Sequence, residues 1–300
     1  MLMLSVLFAV LAAAANALAS VLQRQVAKGA PDEHTFRPSL ILDLLRRPEW
    51  LGGIGALIAA FLLQAAALDR AGLALVQPLL AAELPFTMLL LGWLVPGAFR
   101  SVPWASVGAL TAGLAALLTA ASPSEGPGRP DALGWAIATG ATAGLAAGLI
   151  MAAWIVSGPL RAVLLGMTTS LGFALTAAYM KTATQTITDS GLGAAFTSWE
   201  LYAMVATGVA SLILLQMALA SGTLVVVQPA LTVTDPVASI CLGVFLFDEH
   251  IRTGGWIALE LAGIALILVG SIGIARCPVL HEQHTVSRAP RRPRARRVRR

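Results

Sequence analysis

Nine stretches of this chain are apolar over about the length a helix needs to cross a bilayer, and that removes most folds from consideration. They run over 2–22, 51–69, 72–95, 103–121, 133–156, 159–180, 199–219, 223–247 and 254–275. In hydrocarbon every backbone polar group must be satisfied internally, which leaves helices or closed barrels. Ala, Gly and Leu dominate the runs, favouring helices packed through small residues over a barrel of alternating strands. Charge agrees: 12% of the residues are charged against 57% hydrophobic, with a mean hydropathy of +0.81. A soluble domain would carry roughly twice that charge. The expected fold is all-α, a polytopic membrane bundle of about nine transmembrane helices.

Two of the runs are copies of one pattern. Val76, Gln77, Pro78, Leu80, Pro85, Leu91 and Gly92 recur, 151 positions later, as Val227, Gln228, Pro229, Leu231, Pro236, Leu242 and Gly243. The correspondence extends outward. Leu63-Gln64 and Leu215-Gln216 precede the copies with a one-residue gap, and Trp104 and Trp256 open the runs that follow. Equivalent helices are therefore five apart. An odd separation reverses direction across the bilayer, so the copies are expected to be two inverted repeats. In secondary transporters that arrangement places the substrate near the midplane, where the repeats meet.

The expected organisation is a first repeat of four spans over 1–121, a linker over 122–132, a second repeat of five spans over 133–275 and a basic tail over 276–300. The linker is marked by Ser122-Pro-Ser-Glu-Gly-Pro-Gly-Arg-Pro130, rich in breakers. Lys181 to Ser198 reads as a polar loop, and Ser39 to Leu45 as a short amphipathic piece on the membrane surface. With the C-terminus inside, 16 of the 20 Lys and Arg fall on the inner side, and only Arg70, Arg129, Lys181 and Arg252 fall outside. The positive-inside rule then predicts an outside N-terminus in an inner or plasma membrane. Ala17-Leu18-Ala19 has the form of a signal-peptidase site. No basic residue precedes that run, however, and cleavage would leave the cation-rich 23–50 loop outside, so the run is read as a span.

Each copy holds one acid beside its second proline, Glu83 and Asp235. An ionised acid at the centre of a span costs on the order of 2.5–3.5 kcal/mol on insertion scales, so a duplicated one reads as a working site. A carboxyl withdrawn from water leans toward its neutral form, which suits exchange of a proton. Two carboxylates also suit a hard divalent cation such as magnesium. Against both stands the plain alternative of protonated packing residues. Gln77 and Gln228 lie within two turns of the acids and are the amides best placed to shape a polar cavity. Gln64 and Gln216 are secondary candidates, expected mainly to bridge helices. Glu260, near the outer end of the last run, is another and is expected to be wetted. Pro78, Pro85, Pro229 and Pro236 each remove a backbone donor and are expected to kink their helices, freeing carbonyls beside the acids. Asn16, Thr168, Thr169 and Ser170 are further interior polar groups.

Little else carries chemistry. Cys241 and Cys277 form no paired framework. His34, His250, His281 and His284 fall in loops or tail. No nucleophile–base set, phosphate-binding glycine loop or His/Cys metal cluster occurs, so neither an enzyme nor a cofactor is expected. The arginine tail suits topology and anionic lipid better than nucleic acid. The expected partners are the bilayer and a small-molecule or cation substrate.

The second half, with Pro236, Leu242-Gly243, Phe247-Asp248-Glu249, Trp256 and Gly263 to Gly270, resembles the drug/metabolite transporter superfamily, EamA-like, over most of 50–275. Glu249 stands where that family has a glutamate after its Leu-Gly segment. The first half keeps Leu91-Gly92, but Gly97-Ala98 follows and the acid is absent. Trp50-Leu51-Gly52 and Val76-Gln77-Pro78-Leu79 are partly similar to segments of the NIPA-type magnesium transporters. The resemblance implies two inverted halves and transport, without naming a cargo. The function expected is a secondary-active carrier working by alternating access, coupled to protons or a cation through Glu83 and Asp235. A magnesium carrier, a lipid flippase and a membrane scaffold or sensor acting through its basic tail are the alternatives.

Overall fold

A computed structural model describes residues 2–28, 48–94, 98–126 and 128–277. The amphipathic piece at 39–45, most of the tail and Gly97 lie outside those residues. The regular structure of the described residues is all helical apart from one isolated antiparallel bridge. The helices are α1 (Leu2–Lys28), α2 (Pro48–Arg70), α3 (Leu73–Leu80), α4 (Glu83–Leu94), α5 (Trp104–Ala121), α6 (Ala132–Ile155), α7 (Pro159–Ser190), α8 (Leu192–Thr197), α9 (Trp199–Ser221), α10 (Leu224–Phe247) and α11 (Ile257–Ala275). Short 3₁₀ turns at Ala98–Ser101 and Gly254–Trp256 lead into α5 and α11. Among the described residues nine segments are long and apolar enough to span a membrane, and α3 and α4 together make the third. The protein is a multi-pass helical membrane bundle.

Local chemistry sets the ends. Asp131 caps α6, its carboxylate accepting from Gly134 N at 2.7 Å. Pro159 opens α7, where a missing N–H costs nothing. The residue that ends α10, Asp248, takes a left-handed φ of 52°, a conformation short polar side chains tolerate. That turn carries Glu249 back against the helix, its N–H donating to the Gly243 carbonyl at 3.1 Å.

One expectation fails here. Lys181 to Ser198 is not a loop, because α7 runs on to Ser190 and α8 follows directly. Thr182, Thr184 and Thr186 donate to the carbonyls four residues back, so the polar side chains lean on the helix they were expected to end. Lys181 is consequently buried inside a helix.

The first span packs on the second and third, the sixth on the seventh and eighth, the third on the eighth and the fourth on the ninth. A shift of five maps this pattern onto itself, which is compatible with two inverted repeats. The α5–α11 seam is a close approach. A Cβ on Gly113 would come within 2.7 Å of the Gly263 carbonyl, and one on Gly263 within 2.8 Å of Leu117 N. Small residues there let two backbones touch, as membrane helices require when lipid gives no hydrophobic drive to associate.

Candidate functional site: a polar interior at the third and eighth spans

The third span is broken. α3 ends at Leu80, Ala81 and Ala82 form a turn, and α4 starts at Glu83. Pro85 has no N–H to give the Ala81 carbonyl, which accepts instead from Leu84 N at 3.4 Å, three residues on rather than four. A proline in the first turn suits a new helix, and an acid there is favoured by the exposed N–H groups. The sequence therefore restarts the helix at the acid. Its copy behaves differently: α10 passes through Pro229 and Pro236 without ending.

Glu83 is half-buried, and its Oε1 accepts from Ser20 Oγ of α1 at 3.1 Å. Gln77, on α3, is 4% exposed, and its Nε2 has no hydrogen-bond partner among the described residues. On α10, Gln228 donates from Nε2 to Thr232 Oγ1 at 3.5 Å, and Thr232 Oγ1 donates to the Gln228 carbonyl at 2.9 Å. Asp235 Oδ1 and Ser239 Oγ are both buried without partners among the described residues. Positions 228, 232, 235 and 239 follow helical spacing, so these four side chains form one polar stripe along α10. Ser170 of α7 reaches across to the same helix, donating to the Leu231 carbonyl at 3.2 Å. Ala81, Ala82 and Leu84 beside Glu83, and Val233 and Ile240 around Asp235, pack against one apolar cluster built on Met88, Leu110 and Ile267.

A buried polar atom without a hydrogen bond costs about 1–3 kcal/mol, so native proteins keep few of them. Several on facing spans mark an interior shaped for something besides packing. The secondary candidates divide. Gln64 is half-buried on α2, whereas Gln216 is exposed on α9. Glu260 lies in the first turn of α11, but its Oε1 is buried and unpartnered rather than wetted. Thr168 and Thr169 are buried and bond only to carbonyls of their own helix. A separate cavity of about 510 Å³ lies between α6, α7 and α10, lined by apolar side chains such as Leu145, Leu171 and Phe245 together with Thr234; neither acid lines it.

A second polar centre joins Glu249, which the resemblance had singled out, to Lys181, which sequence reasoning missed. Lys181 Nζ sits 2.7 Å from Glu249 Oε1, with side chains only 5% and 0% exposed. The Glu249 carboxylate also accepts from Leu73 N at 2.7 Å and Ala74 N at 2.8 Å, the first two N–H groups of α3. Lys181 Nζ lies 4.5 Å from the Phe247 ring centre, and Phe247 belongs to a cluster with Trp135, Tyr179 and Trp199. Lys181 looked like a boundary cation because it follows an apolar run. Its signal was the lack of any acid or helix breaker between it and Asp189.

Comparison with known proteins places the chain beside an uncharacterized protein of Corynebacterium glutamicum, 27% identical over 278 residues, which are 91% of this chain and 95% of that one. No family model matches. No solved structure matches either.

Proposed function

We propose that the protein is a secondary-active carrier of a small molecule or ion, working by alternating access between two inverted repeats in the plasma membrane. Its N-terminus lies outside and its tail in the cytoplasm, where the cations are concentrated. The observation that carries this reading is the set of buried polar atoms on the third and eighth spans that have no partner among the described residues: Gln77 Nε2, Asp235 Oδ1 and Ser239 Oγ. A scaffold gains nothing from such atoms, because apolar side chains of similar shape would pack there at lower cost. A carrier needs groups that stay unpaired until a substrate or coupling ion arrives. A break beside one acid fits as well, since discontinuous helices are tolerated where they line a cavity.

In this reading Glu83 and Asp235 bind the coupling proton or cation, and Gln77 and Gln228 shape the polar cavity. No catalytic step is involved. A superfamily likeness to drug/metabolite transporters supports the same class. A magnesium carrier would draw on several oxygen ligands. Among the described residues no three Asp, Glu, His or Cys side chains cluster, so one or two carboxylates are the binding groups we assign.

The test is ion flux in proteoliposomes challenged with a panel of metals and organic solutes. The wild-type chain is expected to couple flux to one of them. Glu83→Gln with Asp235→Asn should abolish that flux while the protein still inserts and purifies as a bundle. Undiminished flux in this double variant would remove the carboxylates from the mechanism.

A further inference from the structure

Glu249 and Lys181 belong to no part of the site above, yet they form the most heavily built polar contact among the described residues. One carboxylate joins three separate pieces of chain: the turn after the eighth span, the sixth span through Lys181, and the start of the third span through Leu73 N and Ala74 N. Space has been cleared for it. A Cβ on Gly72 would come within 2.7 Å of its carboxyl carbon, and Gly243 crowds its Oε2. The same end of the bundle is laced further. Ser124 and His250 exchange backbone hydrogen bonds at 3.0 and 3.2 Å, Arg252 N donates to the Ala121 carbonyl at 2.9 Å, and Thr188 Oγ1 donates to Asp69 Oδ1 at 2.9 Å.

What Glu249 grips is short. α3 is a half-helix of eight residues, about 12 Å long at 1.5 Å per residue, and its far end is the break at Ala81 and Ala82. Directly after that break stands Glu83. A rigid rod therefore runs from the Glu249 carboxylate at one face of the bundle to the acid in its interior.

We propose that Glu249 is the latch of a gate: its contacts with Lys181 and the α3 N-terminus hold the bundle shut at this face, and the gate opens when α3 pivots at Ala81–Ala82 and leaves the carboxylate. This rests on the carrier reading for its purpose and deepens it, because it names α3 as the part that links occupancy at Glu83 to closure. The latch is a positioning device, and neither residue is assigned a contact with substrate.

The test needs no substrate. In the full chain carrying Cys241→Ser and Cys277→Ser, a single cysteine is placed by Ser239→Cys in the polar stripe. Its reaction with a membrane-impermeant methanethiosulfonate is then timed from each face, in intact cells and in inverted vesicles. Glu249→Gln or Lys181→Met should speed labelling by about tenfold or more from the face bearing residue 249 and leave the other face unchanged, as expected when a closed state loses a differential contact. Unchanged rates, or an equal rise from both faces, would overturn the latch.

A second arm keeps the ion pair and so does not depend on how well those variants fold. Gly72→Ala leaves both charges in place but puts a Cβ within 2.7 Å of the Glu249 carboxyl carbon, at the residue before α3. It should speed labelling from the same face by prising the carboxylate off the α3 N–H groups; an unchanged rate also refutes the gate. Flux through matched preparations that keep Ser239 separates the two ideas. Labelling that responds in a chain with no flux leaves the latch and defeats the carrier, whereas flux with unresponsive labelling does the reverse.

Discussion

Ser239 carries a hydroxyl that does nothing for the fold. It is fully buried and unpartnered among the described residues, one turn beyond Asp235. Ser239→Ala is therefore expected to leave the unfolding temperature in detergent unchanged or to raise it, by a stabilisation of up to about 1 kcal/mol, while slowing flux several-fold. A fall in stability would mean that the hydroxyl has a structural partner. At this scale the sequence was informative where a polar group stood alone in an apolar run. Glu83, Asp235 and Gln77 stand out for that reason, and the structure finds unpaired interior atoms on the last two. Ser239 and Thr232 were within reach through helical spacing from Asp235, but small hydroxyls are common in membrane helices and carry little contrast. The partner of Glu83 on α1, Ser20, had no such signal, because nothing in sequence couples positions 63 residues apart.

Among the elements, the broken third span departs most from its copy. Two spans share a proline pattern, yet one ends and restarts while the other continues. The spacing of acid and proline accounts for part of this. Glu83 precedes Pro85 by two residues, so both fit the first turn of a new helix, whereas Asp235 adjoins Pro236 directly. Pro85→Ala restores the missing donor and should let helix run from α3 into α4. The expected result is a chain that is more resistant to heat, by up to about 3 kcal/mol, and transports poorly. Equal flux in that variant would show that the break is incidental to function. The extension of α7 to Ser190 was hidden by composition. A threonine-rich stretch reads as loop when side chains are counted, and as helix once the hydroxyls of Thr182, Thr184 and Thr186 are seen bonding to the carbonyls one turn back.

Across the whole molecule, nine apolar runs predicted nine spans, and each coincides with a spanning helix among the described residues. Length and hydropathy suffice for that because a bilayer leaves the backbone few choices. Pairing between spans was harder to read. The fourth and ninth spans meet through Gly113 and Gly263, and glycine is so frequent in this chain, at 28 residues, that the seam does not stand out. The segment between the halves was expected to be a linker. Within it Ser124 pairs with His250, and Gly128 lies so close to Asp248 that a Cβ would come within 2.6 Å of its Oδ2. The connector thus adheres to the far half as a strap. Two polypeptides, 1–126 and 127–300, expressed together should then co-purify and insert, the α5–α11 seam and the strap replacing the lost peptide bond. Failure of the fragments to associate would mean that covalent continuity is what holds the halves.

That strap has an evolutionary corollary. A joint formed by backbone hydrogen bonds fixes the glycines at 126 and 128 but asks little of the other side chains, so those are free to drift while the union persists.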